Sequence, residues 1–396
     1  MADLSVNRLL RDFRSCWPGG LSEEQYGTLN LIAHCRHGEL GFNQAKCQKC
    51  HRGEWYPSSC GDRHCPLCLG PRQSAWSEAV CERLADCPHF HVVFTMPTQF
   101  HEFFERNYRQ ACEILFSAAA ECLRIFQKNN WKMQGAFFGV LHTWGSRLNW
   151  HPHLHMLVSA GGRDLDTGRW KQVRANYLFA VRAMSKIFRA IILRKVEELD
   201  GDAQIAWPPE HQTLEARREW RLSLARREWV IYSRPTLGNT RAVVRYLARY
   251  TSRIAMSNHR LLAIDEQKGE VSFEWKDYRA KGQKKEQTLS IAAFLHRFCR
   301  HLVPKGLRRI RYYGLLTGAK DRLAKIPGAP QNSVGEKTPN RPPKVCQRCQ
   351  GTEWEFECLY TMRTAMMQRF RVERGYAKVY ETAGEGRFSL VELRPP

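Results

Sequence analysis

Three histidines in the middle of the chain have the residue type and spacing for metal chemistry. His153 and His155 flank Leu154 in Asn149-Trp-His-Pro-His-Leu-His-Met-Leu-Val-Ser159, a segment that reads as a strand. Successive side chains on a strand point to opposite faces, so His153 and His155 share one. Two imidazoles on one face make half of a divalent metal site. His142 lies eleven residues before His153, in Gly139-Val-Leu-His-Thr-Trp144. Gly145 to Asn149 can turn the chain back, which puts His142 on a neighbouring antiparallel strand within reach of the pair. Three histidines leave coordination positions open, and that suits catalysis better than structure. Alone, the same pattern also fits ordinary hydrogen-bonded strand histidines, so the other motifs must decide.

A second constellation is Arg241-Ala-Val-Val-Arg-Tyr246-Leu-Ala-Arg-Tyr250-Thr-Ser-Arg-Ile254. On a helix the i, i+4 spacing places the Tyr246 and Tyr250 hydroxyls on one face, about one turn apart. Arg245, Arg249 and Arg253 repeat at the same interval on an adjacent face. Aromatics so spaced often pack a core. A tyrosine can also attack a phosphodiester to give a covalent phosphotyrosine when a metal polarises the phosphate, with the arginines holding the DNA strand.

The third set is cysteine-based. Cys47-Gln-Lys-Cys50 and Cys65-Pro-Leu-Cys68 are two knuckles separated by fourteen residues. Two such knuckles complete a tetrahedron around one Zn²⁺, and four thiolates close it, so the expected zinc is structural. Cys35, His37, Cys60 and His64 could build a second zinc site, or Cys60 or His64 could replace a ligand of the first. Ordinary loop polar residues would look the same. Lys49, His51, Arg52 and Arg63 beside the knuckles suit DNA contact. Cys346-Gln-Arg-Cys349 is a further knuckle with Cys358 nearby, but it lacks a fourth partner in the right place. It reads as a decayed zinc ribbon, and no metal is expected there.

Composition sets the frame for these motifs. The chain has 396 residues, 43% of them hydrophobic, enough for two or three domains with a sizeable core. Lys plus Arg number 62 against 39 Asp plus Glu, a formal net charge of +23. That excess calls for a polyanionic partner, nucleic acid first. Arginine forks such as Arg217, Arg218, Arg221, Arg226 and Arg227, or Arg308, Arg309 and Arg311, suit phosphate oxygens. No apolar stretch approaches a membrane span and no signal-peptide core is seen, so a cytoplasmic protein with no membrane partner is expected. Fifteen cysteines in such a chain point to metal binding rather than disulfides.

The elements that must position these residues read as α+β. Strands are predicted at His89 to Met96, Gly135 to Trp144, His153 to Ser159, Trp229 to Ser233, Gln287 to Ile291 and Ile310 to Leu316. A hairpin is predicted around Lys268-Gly269. Helices are predicted at Trp76 to Leu84, Phe100 to Lys128, Tyr177 to Leu199, from Asn239 or Thr240 to about Ser252, and at Ala292 to Leu302. Ala319 to Lys344 reads as a linker. The resulting division is 1–72, a zinc-binding DNA-contacting module; 73–320, a catalytic domain; and 321–396, a linker and tail.

The order of motifs resembles a known family. Ser59-Cys-Gly-Asp-Arg-His-Cys-Pro-Leu-Cys68, Leu141-His-Thr-Trp-Gly145 running on to Trp150-His-Pro-His-Leu-His155, the stretch Tyr246 to Ile254 with Ser257-Asn-His-Arg260, and Arg309-Ile-Arg-Tyr-Tyr-Gly314 are similar to the two-tyrosine rolling-circle transposases of the insertion-sequence-ninety-one family, within the HUH endonuclease superfamily. The resemblance runs from about residue 15 to 320. It implies an HUH-like antiparallel sheet flanked by helices, preceded by a zinc module. It further implies His153 and His155 as ligands of Mg²⁺ or Mn²⁺, with His142 or an acidic or amide residue elsewhere as the third, and Tyr246 and Tyr250 as nucleophiles. The expected partners are single-stranded DNA of transposon ends and target, with host helicase and replication proteins, in a bacterial, nucleoid-associated setting. No Gly-x-x-x-x-Gly-Lys-Ser/Thr loop is present; Gly335-Glu-Lys-Thr lacks the spacing. A plasmid replication initiator or conjugative relaxase would use the same chemistry. A non-catalytic zinc-dependent DNA-binding protein is the alternative from another class. A three-carboxylate transposase fits less well, because Asp and Glu are sparse near the strand ends.

Overall fold

A computed structural model describes residues 3–68, 76–173, 178–236, 255–330 apart from 279, 281, 319–321 and 324, 345–359, 379–381 and 387–390. In chain order the strands are β1 Phe42–Cys47, β2 Gly53–Pro57, β3 His89–Thr95, β4 Met133–Trp144, β5 Trp150–Asp164, β6 Trp170–Gln172, β7 Ile231–Pro235, β8 Leu261–Asp265, β9 Glu270–Asp277, β10 Gln283–Ser290, β11 Ile310–Gly314, β12 Trp354–Leu359, β13 Val379–Glu381 and β14 Arg387–Leu390. The chain divides into two compact units, both discontinuous. One comprises residues 1–75, 252–302 and 335–396; the other comprises 76–251 and 303–334. This departs from the linear division at 72 and 320. The tail joins the N-terminal part through β12, which pairs with β1, and residues 252–302 meet it where Val6 N–H donates to Asn258 Oδ1.

The second unit is built on an antiparallel sheet of order β11-β4-β5-β3-β7, with β6 on β5. Alternation along its strands gives it two different faces. Phe90, Val92 and Phe94 of β3, Phe137 and Leu141 of β4, and Leu154, Met156 and Val158 of β5 pack on two long helices, Tyr108–Phe126 and Val181–Glu197. The helices contribute Leu115, Ala119, Cys122, Phe188 and Ile192. Each fully buried side chain of this size stabilises by roughly 2 kcal/mol. A Cβ at Gly139 would meet Met156 Sδ at 2.5 Å, so a larger residue there would have to displace side chains of the apolar layer. On the opposite face, Ala136, Phe138, Val140 and Leu157 form a smaller cluster with Val80, Leu84, Leu315 and Ile326. The parity that puts those residues there carries on to His142, His155 and His91.

The expected continuous helix from Phe100 to Lys128 is broken into His101–Arg106 and Tyr108–Phe126. The break is Asn107, whose side chain donates to Ala206 O at 3.0 Å and accepts from Ala206 N–H at 2.8 Å.

The first unit holds a five-stranded sheet, β13-β14-β12-β1-β2, and a three-stranded sheet, β10-β9-β8. The latter carries the expected hairpin at Lys268-Gly269 and the helix Ile291–Cys299, capped by the Ser290 hydroxyl. Phe273 and Phe294 pack edge to face at 5.8 Å between them. Two further helices, Val6–Asp12 and Glu23–Ala33, escape the sequence reading. Ser5 caps the first, and Ser22 with Gln25 forms a capping box on the second. Asn258, in the Ser257 to Arg260 motif, accepts from Val6 N–H at 3.1 Å, a structural use of that motif. Among the described residues no helix is long and apolar enough to cross a membrane.

Candidate metal centres

The histidine site is a hairpin product. β4 and β5 pair in register, with His142 directly opposite His153. The connecting turn is closed by Gly145 N–H donating to Asn149 O at 2.9 Å and Leu148 N–H to Gly145 O at 3.1 Å. Leu148 adopts φ 58° to make the reversal. Ring centroids are 5.3 Å apart for His142 and His153, 4.5 Å for His142 and His155, and 4.9 Å for His153 and His155. One ring nitrogen from each lies within 4.8 Å of the others. His142 and His155 are buried, His153 is half-buried, and Trp144 stacks on His142 at 4.6 Å.

Hydrogen bonds orient these rings. His153 Nδ1 lies 2.7 Å from His151 O, so Nδ1 carries the proton and Nε2 keeps a lone pair. His155 Nδ1 lies 2.8 Å from His91 Nε2, and the two rings stack at 5.1 Å and 12°. His155 can offer its Nε2 lone pair only when its Nδ1–H donates to His91. Burial pushes His153 down to about 3, and burial followed by the Arg234 charge pushes His91 down to about 4. Both are therefore neutral at physiological pH, the form that ligates metal. Sequence reading missed His91. Its signal is the same His-x-His alternation, His89-Phe-His91, on the predicted strand now seen as β3. His89 is buried further along and pushed to about 4 by burial.

The cysteines converge in a different partition from the expected one. Cys47 and Cys50 do not meet Cys65 and Cys68. Cys65 and Cys68 gather with Cys35 and Cys60, and Cys47 and Cys50 gather with Cys346 and Cys349. In the first group Cys35 Sγ lies 3.5 Å and Cys60 Sγ 3.7 Å from Cys68 Sγ. Cys60 N–H donates to Cys35 Sγ at 3.3 Å, and Asp62 N–H to Cys60 Sγ at 3.4 Å. Such bonds favour thiolate over thiol. In the second group Cys47 Sγ and Cys349 Sγ are 3.5 Å apart, and Cys50 Sγ and Cys346 Sγ 3.6 Å. His64 does not join Cys35 and Cys60; its Nδ1 lies 2.9 Å from the Asp62 carboxylate. His37 sits instead with His34 and Glu39. Arg63 is half-buried between Asp62 and His64.

Tyr246, Tyr250, Arg245, Arg249 and Arg253 lie outside the described residues. Within the second unit a groove of about 850 Å³ is lined by Arg83, Arg109, Arg124, Arg308 and Arg311 together with Tyr312 and Tyr313. Arg83 stacks over Tyr312 at 4.5 Å and Arg124 over Tyr313 at 5.6 Å. The 217–227 arginines are partly structural. Arg217 donates to three backbone carbonyls and covers Trp207, while Arg221 pairs with Asp200 at 2.8 Å.

An antiparallel sheet carrying three converging histidines, beside a module with two four-cysteine clusters, is the architecture of a protein built to hold metal ions. Residues 6–96 match the family described as "Transposase zinc-binding domain", and residues 136–323 match the family described as "Putative transposase". The chain is 36% identical over 302 residues to "Putative transposase y4qJ" of Sinorhizobium fredii, covering 75% of each chain. It is 32% identical over 311 residues to the transposase for insertion sequence element IS801 of Pseudomonas savastanoi pv. phaseolicola, covering 76% of this chain and 73% of that one. Among solved structures, the conjugative relaxase TrwC in complex with oriT DNA aligns over 41% of this chain and 71% of its own, at 11% identity and a TM-score of 0.23. The chain belongs to the IS91 family of transposases, and it carries that family's zinc-binding domain. Membership favours a transposase over the plasmid initiator, the relaxase and the non-catalytic DNA-binding protein.

Proposed function

We propose that this transposase moves its element by cutting and rejoining single-stranded DNA through phosphotyrosine intermediates. The observation that carries the reading is the convergence of His142, His153 and His155 on the sheet face opposite the long helices. The donor set fits a divalent ion: three neutral imidazoles, one already oriented by a backbone carbonyl. Imidazole nitrogens favour a transition ion, so Mn²⁺ suits the site better than Mg²⁺. When bound there, the ion supplies Lewis-acid polarisation of a phosphodiester oxygen.

The chain's own residues do the rest. The Tyr246 or Tyr250 hydroxyl attacks the scissile phosphorus, forming a 5′-phosphotyrosine. The P–O3′ bond breaks, and the 3′ oxygen leaves with the proton as a free hydroxyl. That hydroxyl can prime synthesis or attack a second phosphotyrosine, and since each exchange trades one phosphodiester for another, ATP is not required. Arg245, Arg249 and Arg253 hold the strand beside the tyrosines, with Arg63 as a further contact. Tyr312 and Tyr313 are poor rivals as nucleophiles, because burial raises Tyr312 and pushes Tyr313 to about 12. The +23 charge and the arginine-lined groove favour a DNA backbone as partner. Cys35, Cys60, Cys65 and Cys68 hold the family zinc, all four lying inside the matched region. Unwinding is left to host helicase and replication proteins.

The reading is tested by nicking of single-stranded terminus DNA with Mn²⁺. Manganese-dependent cleavage is expected. Absence of cleavage on every terminus strand, by protein that still binds DNA, would leave the histidines a structural cluster.

A further inference from the structure

Cys47-Gln-Lys-Cys-His-Arg-Gly-Glu-Trp55 and Cys346-Gln-Arg-Cys-Gln-Gly-Thr-Glu-Trp354 are two copies of one pattern at opposite ends of the sequence. They also fold alike. His51 N–H donates to Cys47 O at 2.8 Å, and Gln350 N–H donates to Cys346 O at 2.9 Å. Cys47 N–H donates to Arg52 O at 2.9 Å, and Cys346 N–H donates to Gly351 O at 2.9 Å. The residue after each second cysteine is left-handed, His51 at φ 59° and Gln350 at φ 58°. The same bonds at the same offsets make these two knuckles structural copies, and they face each other. The antiparallel pairing of β1 and β12 runs from Phe42 opposite Leu359 to Cys47 opposite Trp354, so the strands lead directly into the knuckles. Gln48 N–H donates across to Glu353 O at 3.0 Å.

The four sulfurs lie within 4.8 Å of one another, and the cross-knuckle distances of 3.5 and 3.6 Å are those of neighbouring ligands rather than of a disulfide. Backbone passes close beside them. A Cβ at Gly351 would meet Cys349 Sγ at 3.3 Å and Cys47 Sγ at 3.4 Å. Thiolates gathered this tightly repel unless a cation sits among them, and four of them in two knuckles form a closed tetrahedral Zn²⁺ set.

We propose that Cys47, Cys50, Cys346 and Cys349 bind a second structural Zn²⁺, completing a zinc ribbon in which Cys47 and Cys349 are 302 residues apart in sequence. This site is distinct from the Cys35, Cys60, Cys65 and Cys68 cluster. The matched zinc-binding region ends at residue 96 and therefore contains only half of it. Neither knuckle alone supplies more than two ligands, so the ion is held only while β12 lies on β1. Zinc thus fastens the C-terminal segment to the N-terminal module. The proposal does not depend on the DNA-cleavage chemistry.

Zinc content of the full chain, measured by plasma mass spectrometry after exhaustive dialysis, should be two per chain. The double variant Cys346→Ser, Cys349→Ser should hold one. One zinc in the unmodified protein, or two persisting in the double variant, would overturn the proposal. Should the variant fail to fold, alkylation mapping of the unmodified protein decides. Cys346 and Cys349 should resist N-ethylmaleimide with zinc present and become labelled, together with Cys47 and Cys50, once a zinc chelator is added. Equal labelling of Cys346 and Cys349 with and without chelator contradicts the site.

Discussion

The histidine centre and the cysteine centres solve the same problem, holding several ligands around one point, by opposite routes. His142, His153 and His155 sit on two strands joined by a five-residue turn, and backbone pairing sets their geometry before any metal arrives. The cysteine groups collect ligands from distant segments: Cys35 with Cys68, and Cys47 with Cys349. There a bound metal would supply folding free energy, because it ties together segments far apart in the sequence. The sheet face under the histidines has a large apolar core behind it, while the cysteine module is built of shorter strands and helices, such as Phe42–Cys47 and Val6–Asp12. On the proposed reading, the fold preorganises the histidine site, and zinc organises the fold around the two cysteine sites.

That contrast breaks down if the wrong mutations unfold the wrong unit. The largest effect is expected for Cys65→Ser. It should release zinc and unfold the N-terminal unit, since structural zinc contributes on the order of 10 kcal/mol of apparent binding free energy. Hydrogen exchange should then show lost protection around Phe42–Cys47 and retained protection in Met133–Trp144 and Trp150–Asp164. Next comes His153→Ala. It should cut metal-dependent nicking by ~10³-fold or more while melting temperature and DNA binding hold, because the ligands act on phosphate and the core lies behind them. A melting temperature that falls as far as in Cys65→Ser would erase the distinction.

Local spacing makes the histidine hairpin legible in the sequence. Eleven residues from His142 to His153 fit two strands and a tight turn, and alternation then sets the shared face. The cysteine partition is not legible in the same way. A Cys-x-x-Cys spacing tells which two thiolates share a knuckle and nothing about which knuckles meet. Cys65 and Cys68 close on Cys35, which follows the Glu23–Ala33 helix, and Cys47 and Cys50 close on the tail. The break at Asn107 is hidden for a similar reason, since its partner Ala206 lies 99 residues away. The short helices at Val6–Asp12 and Glu23–Ala33 owe their ends to capping side chains more than to apolar periodicity.

Two smaller effects sharpen the account of the histidine unit. Affinity for single-stranded DNA should drop by ~10²-fold or more between 50 and 200 mM salt if several arginines contact phosphate. A flat response in a filter-binding titration would reduce the +23 charge to surface solvation. His91→Ala should lower metal affinity by roughly 10–100-fold, because it removes the acceptor that orients His155. Titration calorimetry with Mn²⁺ checks this, and an unchanged affinity would make His91 a bystander.

In the proposed reaction a tyrosine of this chain becomes joined to DNA. Intact-mass spectrometry after incubation with single-stranded terminus DNA and Mn²⁺ tests it most directly. The expected product is a protein–DNA adduct whose linkage maps to Tyr246 or Tyr250 and which is lost in the Tyr246→Phe, Tyr250→Phe double variant while DNA binding persists. An adduct of undiminished yield in that variant would place the nucleophile elsewhere and rule out both tyrosines.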